Sequence, residues 1–306
     1  MNKIFAAVFG LLFFIFSSIS EAYAPEGQLY VTMIDCGQGD CFLIETSEQN
    51  VLIDTGDTTE ADNLVAQLQD MGIERFERII LSHPHADHIG GLPTLAAIFP
   101  VDIISDNGII SASPIYKAYH QIDATFEPLK SGDIVDLGGG VKFKVLSPSS
   151  SLVRDVNSRS RKSYANNESI VGKLIFGDFS ILFTGDAEKE LEDALYNTYP
   201  TELKSTILKA AHHGAKKSST PDFVHAVEPD FVFISAGVAN KYGHPHKDAL
   251  KNFRYNMVLP TSIFCTRFNG SVRVESDGKN YAITVEKDND WLEEYTRERY
   301  TVTRID

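Results

Sequence analysis

Three histidines and an aspartate lie within six residues of one another, directly after a short apolar stretch that is typical of a β-strand. The segment reads Ser82-His83-Pro84-His85-Ala86-Asp87-His88-Ile89-Gly90-Gly91, in a chain with nine histidines in all. Imidazole and carboxylate groups are ligands that suit Zn²⁺, Mn²⁺ and Fe. The segment therefore predicts a metal centre at the end of a strand.

The spacing of these ligands predicts how they divide between ions. Residues two apart in an extended turn point to the same side, so His83 and His85 can hold one ion. Asp87 and His88 begin a tighter turn and can reach a second ion nearby, while the glycine pair lets the backbone turn sharply beneath the cluster. The alternative is a polar surface loop that holds three histidines by chance, and the strand before and glycines after argue against it.

The N-terminus has the features of a secretory signal peptide. Lys3 supplies a positive start, an apolar run covers residues 4–16, and the exit ends in Ala22-Tyr23-Ala24. This run is shorter than the about 20 apolar residues of a membrane-spanning helix. We predict that residues 1–24 are a signal peptide, and that the protein is secreted or periplasmic with no membrane attachment after cleavage.

The remaining chain is long enough for one large α/β domain, and it is acidic. The formal net charge is −14. Such a surface repels phosphate backbones at long range, so we expect no stable nucleic-acid partner. Cys36, Cys41 and Cys265 are expected to be small buried residues, although a Cys36–Cys41 bridge is an alternative.

Apolar periodicity predicts strands and helices that alternate through residues 25–286. Strands interleaved with helices on two sides of a core indicate a layered α/β domain. Residues 149–167 are expected to form a long polar surface loop, and residues 287–306 a charged, solvated C-terminal tail. The expected strands cover residues 28–34, 41–44, 51–53, 78–81, 101–105, 141–146, 169–176, 180–184, 206–210, 231–235, 263–266, 271–275 and 281–285. The expected helices cover residues 60–71, 114–120, 187–197, 221–227 and 247–257.

Further polar residues stand where predicted strands end. Asp186 could bridge two ions with its two oxygens, or cap the next helix. Asp54 is expected to support the cluster by accepting an imidazole N–H, or else to occupy a turn. His212 and His213 are adjacent on a predicted strand and would point to opposite faces, so only one should bind a given ion. His244 precedes a predicted helix, whose N-terminus suits contact with an anionic substrate group or a capping role.

Together these motifs resemble the metallo-β-lactamase superfamily, whose signature is H-x-H-x-D-H. Residues 34–40, Ile-Asp-Cys-Gly-Gln-Gly-Asp, resemble the D-V-G-Q-G-D opening of one branch, the hydrolase domain of ComEC competence proteins and their free-standing relatives. The sequence also resembles that branch at N-N-x-S (residues 166–169), T-G-D (184–186), H-H-G (212–214) and N-x-Y-G-H-P (240–245).

The resemblance implies a four-layer αββα sandwich with its metals at one edge, and a hydrolase that works through a metal-bound hydroxide. It implies that His213 binds the second metal, while His212 contacts substrate or carries a proton. The implied cofactor is one or two Zn or Mn ions. The implied metal ligands are His83, His85, Asp87, His88, Asp186 and His213, and the residues assigned to catalysis are Asp87, His212 and His244.

One ligand of the family pattern has no counterpart here. Members usually place a third histidine on the first metal, but the corresponding residues 145–149 contain none. His83, His85 and Asp186 would then hold that ion with more water or with help from Asn167. An oxygen-richer site of this kind favours Mn²⁺ or weak occupancy.

The expected substrate is a phosphodiester or another phosphate-bearing molecule. Basic residues before Asn166 and around the histidine pair would attract phosphate if they border the site, although they could equally be ordinary solvated charges. The alternatives are a lactone, lactam or thioester hydrolase, or a non-hydrolytic ligand-binding domain. The basic residues are Arg154, Arg159, Arg161, Lys162, Lys209, Lys216 and Lys217.

Overall fold

The computed structural model describes residues 23–149, 165–238, 240–256, 258–259, 262–288 and 291. The expected signal peptide lies outside these residues except for its last two positions. Most of the predicted loop at 149–167, with its four basic residues, and residues 292–306 of the predicted tail also lie outside them. Those expectations stay predictions.

The first half of the chain and two C-terminal strands form an eight-stranded sheet. Its strands are β1 (Leu29–Met33), β2 (Phe42–Glu45), β3 (Asn50–Ile53), β4 (Phe76–Ile80), β5 (Val101–Ser105), β6 (Thr125–Phe126), β14 (Val272–Ser276) and β15 (Tyr281–Val285). The spatial order is β15-β14-β1-β2-β3-β4-β5-β6. The β1-β2-β3 meander is antiparallel, whereas β3 to β6 run parallel.

The second half forms a seven-stranded sheet. Its strands are β7 (Ile134–Asp136), β8 (Lys142–Ser147), β9 (Val171–Phe176), β10 (Phe179–Phe183), β11 (Ile207–Lys209), β12 (Phe231–Ile234) and β13 (Ile263–Cys265), in the order β13-β12-β11-β10-β9-β8-β7. β10 to β13 are parallel, so their carboxyl ends share one edge of the sheet.

The helices pack on the outer faces of both sheets. They are α1 (Ala61–Asp70), α2 (Ala86–Ile89), α3 (Leu92–Ala96), α4 (Pro114–Tyr119), α5 (Lys189–Thr198), α6 (Pro221–Val227), α7 (Lys247–Tyr255) and α8 (Thr266–Asn269), with 3₁₀ turns at Thr58–Glu60 and Ala211–Gly214. None of the helices in the described part of the chain is long and apolar enough to cross a membrane.

Three separate apolar clusters define four layers. One cluster joins the two sheets, and within it the rings of Phe42 and Phe183 meet edge to face at 5.2 Å. A second joins the eight-stranded sheet to α1 and α3, and a third joins the seven-stranded sheet to α5, α6 and α7. Strand alternation explains this division: Phe42 faces the other sheet, and its neighbour Leu43 faces the helices. The predicted αββα sandwich is confirmed.

Several features differ from the sequence-based expectations, among them the short helices α2, α3 and α8. Neither β6 nor β7 was expected. β6 has two residues, and β7 buries Val135 alone between two exposed neighbours, so neither produces a strong apolar pattern. Trp291 lies beyond the expected end of the domain at residue 286, yet it is buried and stacks on Phe268 at 4.4 Å between ring centroids.

The expected behaviour of the three cysteines agrees with the structure. Cys36, Cys41 and Cys265 are all buried and free. The large apolar clusters make a disulfide unnecessary for holding the layers together.

Candidate metal centre

The predicted histidine cluster lies where β4 ends, between the two sheets. The backbone of Leu81 still donates to Ser105 at 2.7 Å, after which the chain turns and α2 begins at Ala86. Asp87 and His88 are therefore helical residues, whereas His83 and His85 precede the helix. Both His83 and His88 are almost fully buried.

Close backbone packing fixes the turn that carries Asp87 and His88. A side chain at Gly39 would place its Cβ only 2.2 Å from the carbonyl oxygen of Asp87, and one at Gly91 would lie 2.2 Å from the carbonyl oxygen of Thr55. The Thr55 N–H also donates to the His88 carbonyl at 2.7 Å. The glycines of both motifs are thus required for close approach of three chain segments.

Asp186 lies between two sets of imidazoles. Its Oδ1 is 3.2 Å from His88 Nε2 and 3.5 Å from His213 Nε2. Its Oδ2 is 3.7 Å from His83 Nε2 and 3.4 Å from His212 Nε2. Glu188, not Asp186, is the N-cap of α5, so the alternative capping role does not apply. Each oxygen faces a different set, which is the geometry that a bridging carboxylate needs.

Asp87, His88, Asp186 and His213 form a set that could hold one cation. One ligand atom from each lies within 4.8 Å of all the others. Among the described residues, His88 Nε2, His213 Nε2 and Asp186 Oδ1 are buried and have no hydrogen-bond partner. Buried polar atoms without partners are costly, and a divalent cation would satisfy all three at once. The donor set fits a metal ion.

His83, His85 and Asp186 form a second set that could hold another cation. The facing atoms, His83 Nε2 and His85 Nδ1, are 2.9 Å apart. His212 borders this set, because its Nε2 approaches the same oxygen of Asp186 that His83 approaches. Among the described residues, no further histidine joins this set in place of the third histidine that the family pattern usually supplies.

The expected contribution of Asn167 does not match the structure. Its Oδ1 accepts from the backbone N–H of Glu188 at 3.0 Å, and its Nδ2 donates to Glu190 at 3.2 Å. Both ends of the amide are therefore used at the start of α5. Asn167 supports the segment after Asp186 and does not reach the cation positions.

Hydrogen bonds on the far side of each ring fix the orientation of two imidazoles. His88 Nδ1 lies 2.8 Å from Asp54 Oδ2, and Asp54 also accepts from the backbone and the hydroxyl of Ser82 at 2.7 Å each. His213 Nδ1 lies 3.0 Å from the carbonyl oxygen of Ser235. Because a carbonyl only accepts, Nδ1 carries a proton, and Nε2 is the nitrogen that faces the candidate cation set.

His212 and His213 do not continue a strand, as the sequence-based interpretation assumed. β11 ends at Lys209, and both histidines adopt left-handed backbone conformations, with φ of 49° and 56°. Two consecutive left-handed residues reverse the chain instead of alternating its side chains. Both rings therefore lie beside Asp186, and the expectation that they face opposite sides is wrong.

His244 joins the same cluster from the segment before α7. Its ring centroid is 5.8 Å from that of His212 and 5.9 Å from that of His213. Asn240 holds its backbone, accepting from the His244 N–H at 2.8 Å and donating to its carbonyl at 2.9 Å. The N-cap of α7 is His246, so His244 is not itself the cap.

The carboxylates control protonation of the imidazoles. Burial alone favours the neutral ring of His88, but Asp186 and Asp54 outweigh it and raise its pKa well above the usual range. Burial acts likewise at His213, where Asp186 and Asp40 raise the pKa to about 9. At His244, burial and the neighbouring histidines lower the pKa to about 3. The raised pKa values thus favour protonated His88 and His213 beside these carboxylates.

Two charged residues of the centre were missed or misplaced by sequence reasoning. Lys209 was grouped with surface basic residues, but it is only 1% exposed and pairs with Asp40, which is 2% exposed. Burial would raise the pKa of Asp40, and Lys209 and His213 hold it below its ordinary value. The sequence signal was a lysine at the end of an otherwise apolar strand.

An open groove of about 760 Å³ reaches Asp87 from one side. Its charged lining is mainly acidic, with Asp35, Asp57 and Glu60 beside Asp87, and Lys241 as the basic residue. Lys216 and Lys217 are exposed and can contribute to a positive rim, whereas Lys209 cannot.

Comparison with known proteins gives the class of the fold and site. The family model described as "Metallo-beta-lactamase superfamily" matches residues 34–143. The metallo-beta-lactamase fold protein YhfI from Bacillus subtilis superposes with a TM-score of 0.51 at 11% identity, covering 84% of this chain and 100% of that one. The chain belongs to the metallo-β-lactamase superfamily.

Within this superfamily, the chain is similar in sequence to one part of ComEC-like competence proteins. ComE operon protein 3 of Bacillus subtilis is 31% identical over 284 residues, covering 86% of this chain and 34% of that protein. Competence protein ComA of Neisseria gonorrhoeae is 32% identical over 241 residues, covering 78% of this chain and 31% of that protein. The chain therefore spans about a third of the length of these relatives.

Proposed function

We propose that this chain is a secreted metal-dependent hydrolase that acts on a phosphodiester or another phosphate-bearing substrate, with Zn or Mn as its cofactor. The observation that carries the proposal is Asp186, whose two buried oxygens face two sets of imidazoles. A bound divalent cation lowers the pKa of a coordinated water to about 7 and stabilises charge on the reacting oxygens. The ligands His83, His85, Asp87, His88, Asp186 and His213 would hold one or two such ions.

The paired geometry supports a phosphate-bearing substrate. Two cation positions that share a carboxylate can stabilise the attacking and the leaving oxygen of one phosphoryl centre. Exposed Lys216 and Lys217 near the histidine pair add local positive charge. The acidic groove beside Asp87 argues against tight binding of a long polyanion, in keeping with the expected absence of a stable nucleic-acid partner.

Three residues have proposed roles in the reaction itself. Asp87 lines the groove and would be the ligand of the bound cation on that side. His212 is partly exposed, and burial lowers its pKa, so it is neutral at pH 7 and can take up or deliver a proton at Nε2 or Nδ1. His244 is also neutral, since its pKa is about 3, and can donate an N–H to a phosphate oxygen without carrying charge.

Turnover by an Asp186→Asn variant tests this function. Purified protein is loaded with Mn²⁺ or Zn²⁺ and offered phosphodiester, lactam, lactone and thioester probes. We expect the wild type to hydrolyse the phosphodiester, and Asp186→Asn to stay folded but lose at least about 100-fold in kcat, because an amide bridges two cations poorly. The matched control is Asp178→Asn, an exposed change in the turn between β9 and β10.

The outcomes separate the alternatives. Faster cleavage of a lactam, lactone or thioester than of any phosphodiester would reject the proposed substrate and keep the metal centre. Absence of turnover with every probe and metal, combined with wild-type ligand binding by Asp186→Asn, would support a non-hydrolytic binding domain instead.

Secretion is part of the proposal and needs its own test. The support is the basic start, apolar run and Ala22-Tyr23-Ala24 exit of the N-terminal segment. A C-terminally tagged protein should be recovered outside the cytoplasm, with Pro25 as its first residue by N-terminal sequencing. An intact leader on a cytosolic protein would reject secretion.

A further inference from the structure

Lys209 is a buried lysine at the end of a central strand. β11 lies between β10 and β12, and the Lys209 side chain is 1% exposed. Lysine is almost never fully buried unless it is paired, because its charge loses hydration. Its ammonium contacts the carboxylate of Asp40 and donates to the carbonyl oxygen of Gly185 at 2.7 Å. The ammonium group therefore makes its ion pair and its hydrogen bond inside the protein.

Three of the site-forming segments meet at this ammonium. Asp40 follows the glycine-rich motif after β1, Gly185 directly precedes Asp186, and Lys209 leads into the turn that contains His212. The Gly185 carbonyl also accepts from the His212 N–H at 3.1 Å. Two donors thus fix the peptide that carries Asp186.

Asp40 extends these contacts to the imidazoles. Its Oδ1 lies 3.3 Å from His213 Nδ1, on the side of the ring away from the candidate cation. The N–H at this nitrogen donates to the Ser235 carbonyl, so the carboxylate of Asp40 adds an electrostatic contact beside that hydrogen bond. Its Oδ2 lies 3.8 Å from His88 Nδ1. The backbone of Asp40 is held as well, since its N–H donates to the Asp87 carbonyl at 3.2 Å. A carboxylate behind a metal-binding imidazole commonly sets the ring orientation and raises its basicity.

The charge balance of the centre gives Lys209 a second role. Asp40, Asp54, Asp87 and Asp186 bring four carboxylates together. In the described part of the chain, Lys209 is the one lysine or arginine that forms an ion pair with any of them. Its ion pair with Asp40 therefore lies among these four acidic side chains.

We propose that Lys209 and Asp40 are positioning residues of the metal centre. Together they fix the peptide before Asp186 and the ring of His213, and so prepare the set Asp87, His88, Asp186 and His213 for its cation. Their loss should weaken binding at this set more than at the set of His83 and His85. The inference rests on the proposed metal-dependent function.

Metal titration of neutralised variants tests this role. Metal-free Lys209→Met, Asp40→Asn and the Lys209→Met/Asp40→Asn double variant are titrated with Zn²⁺ alone by calorimetry, and the number of bound ions is checked by elemental analysis. Removing one partner leaves a buried charge unpaired and can prevent folding, whereas the double variant removes both charges and avoids that penalty. Lys173→Met, a partly buried lysine on β9, is the matched control.

We expect wild type and Lys173→Met to bind two ions. The folded double variant should bind the ion of the set Asp87, His88, Asp186 and His213 about 10- to 100-fold less tightly, because it loses the contact to the Gly185 carbonyl and the carboxylate beside His213. Two ions bound with wild-type affinity by the double variant would overturn the positioning role. A wild type that binds no ion at all would instead reject the proposed function, so the two failures are distinguishable.

Discussion

At the scale of single residues, the two nitrogens of each imidazole have different tasks. His213 donates from Nδ1 to the Ser235 carbonyl, and its Nε2 has no partner among the described atoms. A cation can bind Nε2 only after that nitrogen has lost its proton. Protons and metal ions therefore compete for the same position.

This competition predicts pH-dependent metal binding. The pKa of His213 is about 9 in the metal-free protein, so the ring is protonated at pH 7 and must release its proton when the ion binds. Zn²⁺ affinity should rise from pH 6 to about pH 9, and calorimetry in buffers of different ionisation enthalpy should show proton release at pH 7. A pH-independent affinity without proton release would contradict this assignment of His213.

At the scale of elements, a buried carboxylate joins two outer helices. Glu192 of α5 is completely buried and accepts from the backbone N–H groups of Ser219 and Thr220 at 2.5 and 2.9 Å. Thr220 is the N-cap of α6. A glutamate from one helix thus satisfies the free N–H groups at the start of the next.

Glu192 predicts a specific pH dependence of stability. Burial raises its pKa from 4.5 to about 7, so the folded protein holds this proton more tightly than the unfolded chain. The stability gained from protonated Glu192 is complete below pH 4.5 and is lost as pH rises through 7. This loss lowers the unfolding free energy by about 3 kcal/mol. Urea unfolding of Glu192→Gln should lack this decline.

Glu190→Gln on the exposed side of α5 is the control, and it should retain the wild-type decline. A wild-type pH profile in the Glu192→Gln protein would show that this carboxyl group does not titrate as described.

At the scale of the whole molecule, the four layers extend further along the chain than expected. Trp291 belongs to the cluster that joins the seven-stranded sheet to its helices, and it stacks on Phe268 with ring planes 6° apart. Trp291 is one large apolar residue among charged neighbours in the sequence, so composition alone predicted a solvated tail. In the structure its side chain packs against the domain.

Replacement of Trp291 tests whether this packing stabilises the domain. Trp291→Ala should lower the unfolding free energy by about 3 kcal/mol or more, as is usual for removal of a buried tryptophan. Tyr255→Ala, an exposed aromatic residue of α7, should change it by less than about 0.5 kcal/mol. Equal stability of both variants in thermal unfolding would place the end of the domain at residue 286 after all.

Regular elements were predictable where one face of a strand or helix is apolar over several residues. β1 to β5, α6 and β15 lie at or within a few residues of their expected positions. β6 and β7 were not predictable, because an edge strand with at most one buried residue has little apolar periodicity. Helix α5 begins at Lys189, later than the expected residue 187, because the residues directly after Asp186 still belong to the turn at the metal centre.

The sequence by itself determined the chemistry of the centre, because His83, His85, Asp87 and His88 are neighbours in the chain and their spacing follows from local backbone geometry. Tertiary structure decided which distant residues join them. It buried Lys209 against Asp40, turned His212 and His213 to the same side, and left Asn167 at a helix start. The physical reason is that these contacts depend on strand register, on left-handed turns and on pairing of buried charges. Those are set by residues far apart in the sequence, and no local pattern contains them.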